Sequence, residues 1–320
     1  MRPVVIAHRG ASGHLPEHTL QAKALAFAMG ADYLEQDIVA TRDNELLVLH
    51  DIHLDEVTDV ASRYPGRARD DGRYYVRDFD LAEIRTLRVH ERTNLLGQQA
   101  FPARRTYEGA DFRVATLARE LKLVDVLRKN TGREVGIYPE IKSPAWHREE
   151  GVDITLLVLE MLADHGYSRH SDPVYLQCFD AAEVRRIRHE LDSELRLVQL
   201  IGEDSWDPAP TEVQAMRTEE GLRTLAATVD GIGPWLNQLY RLEDGERVDS
   251  GLVRLAHAQG LVVHPYTFRS DALPEGFSSI DDLFDFTIME LAIDGLFTDF
   301  PDAAVRYLHR RHGTEGVVSK

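Results

Sequence analysis

Cysteine is nearly missing. Cys178 stands alone among 320 residues, so no intramolecular disulfide is possible and cysteine usage does not fix the compartment. Net positive charge is missing too: 37 Lys and Arg face 54 Asp and Glu, a formal charge of −17. That argues against the basic stripe of a nucleic-acid binder and against electrostatic docking on an anionic membrane. A negatively charged substrate must be drawn in by a local feature, such as a metal ion or a few basic residues, against the field of the whole chain. No apolar run reaches the ~20 residues of a membrane-spanning helix, and there is no internal repeat or low-complexity tract. Met1-Arg2-Pro3 leads straight into the first apolar run, which sets the expectation that no secretory signal precedes the domain. The expected compartment is the cytoplasm if Met1 is the native start, with the periplasm as the alternative if an export signal has been removed.

What is present is a globular composition, 43% hydrophobic and 28% charged. Short apolar runs at 4–7, 33–38, 135–141, 174–177, 195–201, 231–233, 261–266 and 295–298 alternate with helical patterns such as 20–29, 117–130, 154–165, 181–191 and 250–259. Gly30, Gly166 and Gly260 stand where helix C-caps want glycine. Eight strands alternating with helices predict one α/β domain over 1–320, a (β/α)8 barrel, with an open doubly wound sheet as the alternative. The run 46–50 is out of step. It follows the polar turn Arg42-Asp43-Asn44-Glu45 and reads as a hairpin partner of the second strand. A turn centred on Asp43-Asn44 would set His50 opposite Asp37. Residues 52–113 break the rhythm altogether. Ordinary connections take about 2–6 residues, so this stretch reads as a capping insertion at the barrel mouth. Residues 202–211, with Trp206, and 270–281 form further polar loops.

The strand ends hold the chemistry. The first ends in His8-Arg9, the second carries Glu35 and Asp37, the hairpin returns at His50-Asp51, and the third carries Glu140 and Lys142. Gln177, His264, Tyr266 and Thr298-Asp299 close the later ones. Residues two apart on a strand face the same way, and barrel active sites sit at the C-terminal strand ends. Taken alone, Glu35 and Asp37 fit a salt-bridged rim. With Glu140 beside them, three carboxylates would repel and raise one another's pKa unless a cation joined them. Oxygen ligands favour a hard divalent ion, Ca²⁺ or Mg²⁺, over zinc, and Arg9 and Lys142 add positive charge for a phosphate. His8 and His50, at strand ends beside those acids, suit in-line phosphoryl transfer, one as base and one as acid. A glycosidase reading would use Glu35 and Asp37 as its pair. Two i, i+2 neighbours cannot easily flank one bond from opposite sides, and both histidines would then be idle.

The segments IAHRGASGHLPEHT (6–19), YLEQDI (33–38), LLVLHD (46–51), GIYPEIKSP (136–144), VYLQCFDA (174–181), LVVHPYTFRSD (261–271) and GLFTDFPD (295–302) resemble the glycerophosphodiester phosphodiesterases, in particular the bacterial periplasmic type. The resemblance extends through the insertion and implies a metal-dependent (β/α)8 barrel with a small capping subdomain at 52–113. It implies His8 and His50 as the catalytic pair, and Glu35, Asp37 and Glu140 as ligands of one divalent cation, Ca²⁺ first and Mg²⁺ as the alternative. Arg9 and Lys142 would lie on the phosphate. Glu17, in the Glu17-His18-Thr19 motif, is expected near the site, and Gln177, Phe179, His264 and Tyr266 are pocket residues. The implied substrates are small glycerophosphodiesters such as glycerophosphocholine and glycerophosphoethanolamine, cleaved to sn-glycerol 3-phosphate and an alcohol. No nucleic-acid partner and no integral membrane segment are expected, and the oligomeric state is open. A barrel that binds phosphodiesters without turning them over is the non-enzymatic rival. A phospholipase D-like member acting on intact lipid is the enzymatic one.

Overall fold

The structure is a computed structural model and describes residues 2–107, 109–203 and 213–315. Most of the 202–211 loop, Trp206 included, lies outside them. Eight parallel strands form the centre: β1 (Val4–Ala7), β2 (Tyr33–Ala40), β3 (Gly136–Ile141), β4 (Tyr175–Cys178), β5 (Arg196–Ile201), β6 (Gly231–Pro234), β7 (Val262–Val263) and β8 (Gly295–Thr298). Neighbours pair in chain order from β1 to β7. β8 then pairs with β1, Val4 opposite Gly295. The last seam closes through Asp294 N–H to Val263 O at 3.1 Å and Phe297 N–H to Pro265 O at 3.0 Å. The result is the expected closed (β/α)8 barrel rather than an open sheet.

Most strands begin and end within two residues of the positions expected from the apolar runs. The exception is 261–266, where regular pairing covers only Val262–Val263. Pro265 has no N–H to give, and pairing resumes in single bridges, Trp235 to Tyr266 and Phe268 to Thr298. Among the described residues, no helix is long and apolar enough to cross a membrane.

The hairpin register differs from the expectation. Ile38 faces Val48 and Ala40 faces Leu46, and Leu49 N–H donates to Asp37 O at 2.8 Å. Leu49, not His50, therefore lies opposite Asp37. The cause is the turn: Thr41 N–H bonds Glu45 O at 3.0 Å, leaving three loop residues, the last of which, Asn44, takes φ +62°. A three-residue loop with a left-handed third position is a favoured hairpin form, and it shifts the pairing by one.

Residues 52–113 fold around apolar side chains of their own. Leu54, Val57, Val60, Val76, Phe79, Ile84 and Leu87 pack with Val39, Leu47 and Leu49 of the hairpin, apart from the main barrel cluster.

Beneath β2 lies a charged pair with no solvent contact. Helix α1 (Leu20–Ala28) carries Lys23 and helix α2 (Leu117–Thr131) carries Glu120, 2.9 Å apart. Gln36 Nε2 donates to Glu120 Oε1 at 2.8 Å, and Lys23 Nζ donates to Glu35 O. Deleting one partner of such a pair strands the other charge. Lys23→Met is therefore expected to destabilise the fold by about 3–5 kcal/mol in chemical denaturation, and adding Glu120→Leu to restore much of it. A single-variant loss below about 1 kcal/mol would contradict this.

Candidate active site

β2 sorts its side chains by the alternation of a strand. Gln36 turns outward to Glu120, so Glu35 and Asp37 turn into the barrel, where both are buried. The parallel register sets Glu140 level with Asp37, and Gln177 level with Glu140. Glu140 Oε1 lies 2.7 Å from Lys142 Nζ, and Asp37 Oδ1 lies 3.6 Å from that same ammonium.

The loop after β1 brings the basic groups. Arg9 takes φ +58° and the next residue, Gly10, φ +89°. A Cβ at Gly10 would stand 2.9 Å from the Ala22 carbonyl carbon, so this turn over α1 needs glycine. The bend aims the Arg9 N–H at Glu35, brings Arg9 Nε within 3.5 Å of Asp37 Oδ2, and sets Nη1 at 3.1 Å from both oxygens of Glu17. His18, at φ +57°, donates its backbone N–H to Arg9 O at 2.9 Å. Its Nε2 lies 2.7 Å from Asp37 Oδ2.

His8 and His50 are each oriented from behind. His8 Nδ1 lies 2.6 Å from Asp299 Oδ1, and His50 Nδ1 lies 2.6 Å from Asp51 Oδ1. Burial works against both carboxylates, but neighbouring cations and the imidazoles hold them well below their usual range. Ionised carboxylates only accept, so Nδ1 of each ring carries the proton and Nε2 is the free acceptor. Burial first, and Arg9 second, bring His8 down to about 4 and lower His50 as well.

The acids at the centre are frustrated. Burial and then Asp37 push Glu35 well up. Burial pushes Glu140 up to about 8, with Lys142 opposing and Asp37 adding to it. Burial also works on Asp37, but Lys142, His50 and His18 outweigh it and hold that group low. Asp37 Oδ1 is buried without a hydrogen-bond partner.

His8, Arg9, Glu17, Glu35, Asp37, His50, Glu140 and Lys142 are thus gathered at one end of the barrel. The pocket residues divide. Phe179 and Tyr266 meet edge to face at 5.8 Å, with Lys142 Nζ 5.7 Å from the Phe179 ring centre. Gln177 is buried, and its Oε1 has no partner. His264 is not at the site: its Nδ1 meets the Tyr138 hydroxyl at 2.9 Å, and its ring packs on Tyr138 and Tyr175. A Cβ at Gly295, the first residue of β8, would lie 2.8 Å from its Cδ2, so His264 fills the barrel interior at the end away from the acids. Strand alternation predicts the face of a residue but not its layer.

Five residues went unassigned in the sequence: His18, Asp51, Asp299, and the two arginines against those carboxylates, Arg92 at 2.7 Å from Asp51 and Arg104 at 2.5 Å from Asp299. Among the described residues, ligand atoms of His18, Glu35 and Asp37 all lie within 4.8 Å of one another. Asp51 and Asp299 could have been suspected as immediate neighbours of His50 and of the β8 end. Nothing local marks Arg92 or Arg104.

The model of the glycerophosphoryl diester phosphodiesterase family matches residues 8–303. A glycerophosphodiester phosphodiesterase of Haemophilus influenzae is 42% identical over 325 aligned residues, covering 95% of this chain and 89% of that protein. One of Treponema pallidum is 34% identical over 330, covering 95% and 91%. A solved phosphodiesterase of Oleispira antarctica, in complex with sn-glycerol-3-phosphate, superposes with a TM-score of 0.63 at 20% identity, covering 96% of both chains; that likeness speaks for the fold. With the family match spanning almost the whole barrel and both relatives aligned nearly end to end, the chain belongs to the glycerophosphoryl diester phosphodiesterase family and is a phosphoric diester hydrolase.

Proposed function

We propose that the chain hydrolyses small glycerophosphodiesters to sn-glycerol 3-phosphate and an alcohol, with one divalent cation, calcium first and magnesium as the alternative, and with His8 and His50 as the acid–base pair. The carrying observation is two imidazoles, each backed on Nδ1 by an ionised carboxylate, beside a buried cluster of acids. The donor set fits a hard cation: carboxyl groups pushed up by burial and by one another, and a buried Asp37 oxygen left without a hydrogen bond. Glu35, Asp37 and Glu140 would hold the ion, with His18 steadying Asp37 through Oδ2. Bound there, the cation supplies Lewis-acid charge to the phosphate oxygens and the glycerol hydroxyl.

The chain's own groups do the rest. Arg9 and Lys142 draw the phosphate against the net charge of the protein. One imidazole Nε2 takes the proton of the glycerol 2-hydroxyl as its oxygen bonds to phosphorus. The other imidazole, protonated on Nε2 against the anionic phosphate of the bound substrate, gives that proton to the departing alkoxide as the bond from phosphorus to the alcohol oxygen breaks. The product of this step is a cyclic glycerol phosphate. Water then opens the ring with the roles reversed, breaking the new bond to O2. The insertion at 52–113 serves as the cap over this site.

The cation is tested directly. Glu140→Gln is expected to weaken calcium binding, measured by titration calorimetry, at least about tenfold while the circular dichroism spectrum is kept. Full activity in chelator-treated protein with no metal by elemental analysis would overturn the reading.

A further inference from the structure

Neither carboxylate behind the histidines stands alone. Asp51 Oδ2 lies 2.7 Å from Arg92 Nη1. Asp299 Oδ2 accepts from Arg104 Nη2 at 2.5 Å. The two histidines end different strands, yet both arginines come from the 52–113 insertion. Both are withdrawn from solvent, with side chains 12% and 5% exposed. Each is anchored on a second acid as well. Arg92 forks onto Glu17 through Nε at 3.0 Å and Nη2 at 2.7 Å, and Glu17 is shared with Arg9. Arg104 donates from Nε to Asp271 at 2.8 Å, and its guanidinium lies 3.7 Å from the Phe101 ring centre.

A cover needs only to dock, and the insertion already docks through its apolar cluster with Val39, Leu47 and Leu49. Burying two guanidiniums behind the two histidines is more than docking requires, and it carries a desolvation cost. We propose that Arg92 and Arg104 are positioning residues that complete the acid–base pair, Arg92 through Asp51 to His50 and Arg104 through Asp299 to His8. The insertion is then a working part of the site. A carboxylate bonded to an imidazole through one oxygen can still swing about that bond. A guanidinium nitrogen against its other oxygen, itself fixed on a further acid, restrains that freedom and sets the direction of Nε2; on Asp299 Oδ2, Arg269 Nε adds a second contact at 2.7 Å. The inference rests on the acid–base roles proposed above for His8 and His50.

The test compares Arg92→Ala, Arg104→Ala, His8→Ala and His50→Ala on glycerophosphocholine and on the p-nitrophenyl ester of sn-glycerol 3-phosphate. Departing p-nitrophenolate needs no proton, so losing the histidine that protonates the leaving group is largely relieved on that ester. Losing the other histidine is not. Each arginine variant is expected to lose about 10–100-fold in kcat on glycerophosphocholine and to copy the leaving-group pattern of its own histidine: Arg104→Ala that of His8→Ala, and Arg92→Ala that of His50→Ala. Arg63→Ala, which removes an insertion arginine paired with Asp59 on the surface, leaves both rates unchanged. Arg92→Lys and Arg104→Lys keep the charge without the fork and show the same patterns at smaller losses, which covers an alanine variant that does not fold. An arginine variant whose leaving-group pattern departs from that of its own histidine, or wild-type rates in the arginine variants, overturn the inference and leave the histidine roles standing. Wild-type rates in the histidine variants overturn those roles instead.

Discussion

His8→Ala and His50→Ala are each expected to cut kcat on glycerophosphocholine by at least about 10²-fold, with bound metal retained. The expectation comes from how the rings are held. Each is backed on Nδ1 at 2.6 Å by a carboxylate that stays ionised, so each leaves Nε2 for the reaction. Neither imidazole belongs to the buried His18, Glu35 and Asp37 group, so removing a ring takes away proton transfer without taking away a carboxylate. In the proposed route the two act on one transition state, one accepting a proton as the other gives one. The double variant is therefore expected to lose far less than the product of the single losses. Steady-state rates with elemental analysis of each variant provide the check. Multiplicative losses, or loss of metal in parallel with activity, would argue against a shared acid–base step.

The second large effect lies in the substrate. A 2-deoxy analogue of glycerophosphocholine is expected to turn over about 10⁵-fold more slowly than the parent, or not measurably. An internal hydroxyl attacks phosphorus at an effective molarity that can reach about 10⁵ M or more, and the analogue has no hydroxyl there. Phosphatidylcholine, whose 2-oxygen is esterified, fails for the same reason. Glycerophosphoethanolamine, which differs only in the departing alcohol, is expected to match glycerophosphocholine. Leu95 and Leu96, 65% and 83% exposed on the insertion, are the most exposed large apolar side chains among the described residues, so the lipid arm, in detergent micelles, is a real contest. Efficient cleavage of the 2-deoxy compound would remove the cyclic route, and efficient release of choline from phosphatidylcholine would favour the lipase reading.

Much of this was legible in the chain because its signals are local. Apolar runs ending in charged residues marked the strands and which end of the barrel carries the chemistry, and glycines after helices marked their ends. Asp37 and Glu140 could be matched because neighbouring strands of a barrel carry their acids at corresponding ends. Three things were not legible, each for a physical reason. The hairpin register turned on a single left-handed residue, Asn44, which a count of turn residues does not reveal. His264 has the spacing of a pocket residue and the depth of a core one, because alternation is blind to layer. Arg92 and Arg104 sit in a stretch crowded with arginines, most of them paired at the surface. Only the folded insertion separates the two that reach Asp51 and Asp299 from the rest.

In the proposed route the glycerol side of the diester attacks its own phosphorus, so that the bond to the alcohol breaks. The direct measurement is ³¹P NMR of glycerophosphocholine incubated with the calcium-loaded protein. The predicted result is decay of the diester signal, a transient cyclic glycerol phosphate, and accumulation of sn-glycerol 3-phosphate with free choline. Accumulation of phosphocholine with free glycerol, which means cleavage on the other side of phosphorus, or an unchanged diester signal, would contradict it.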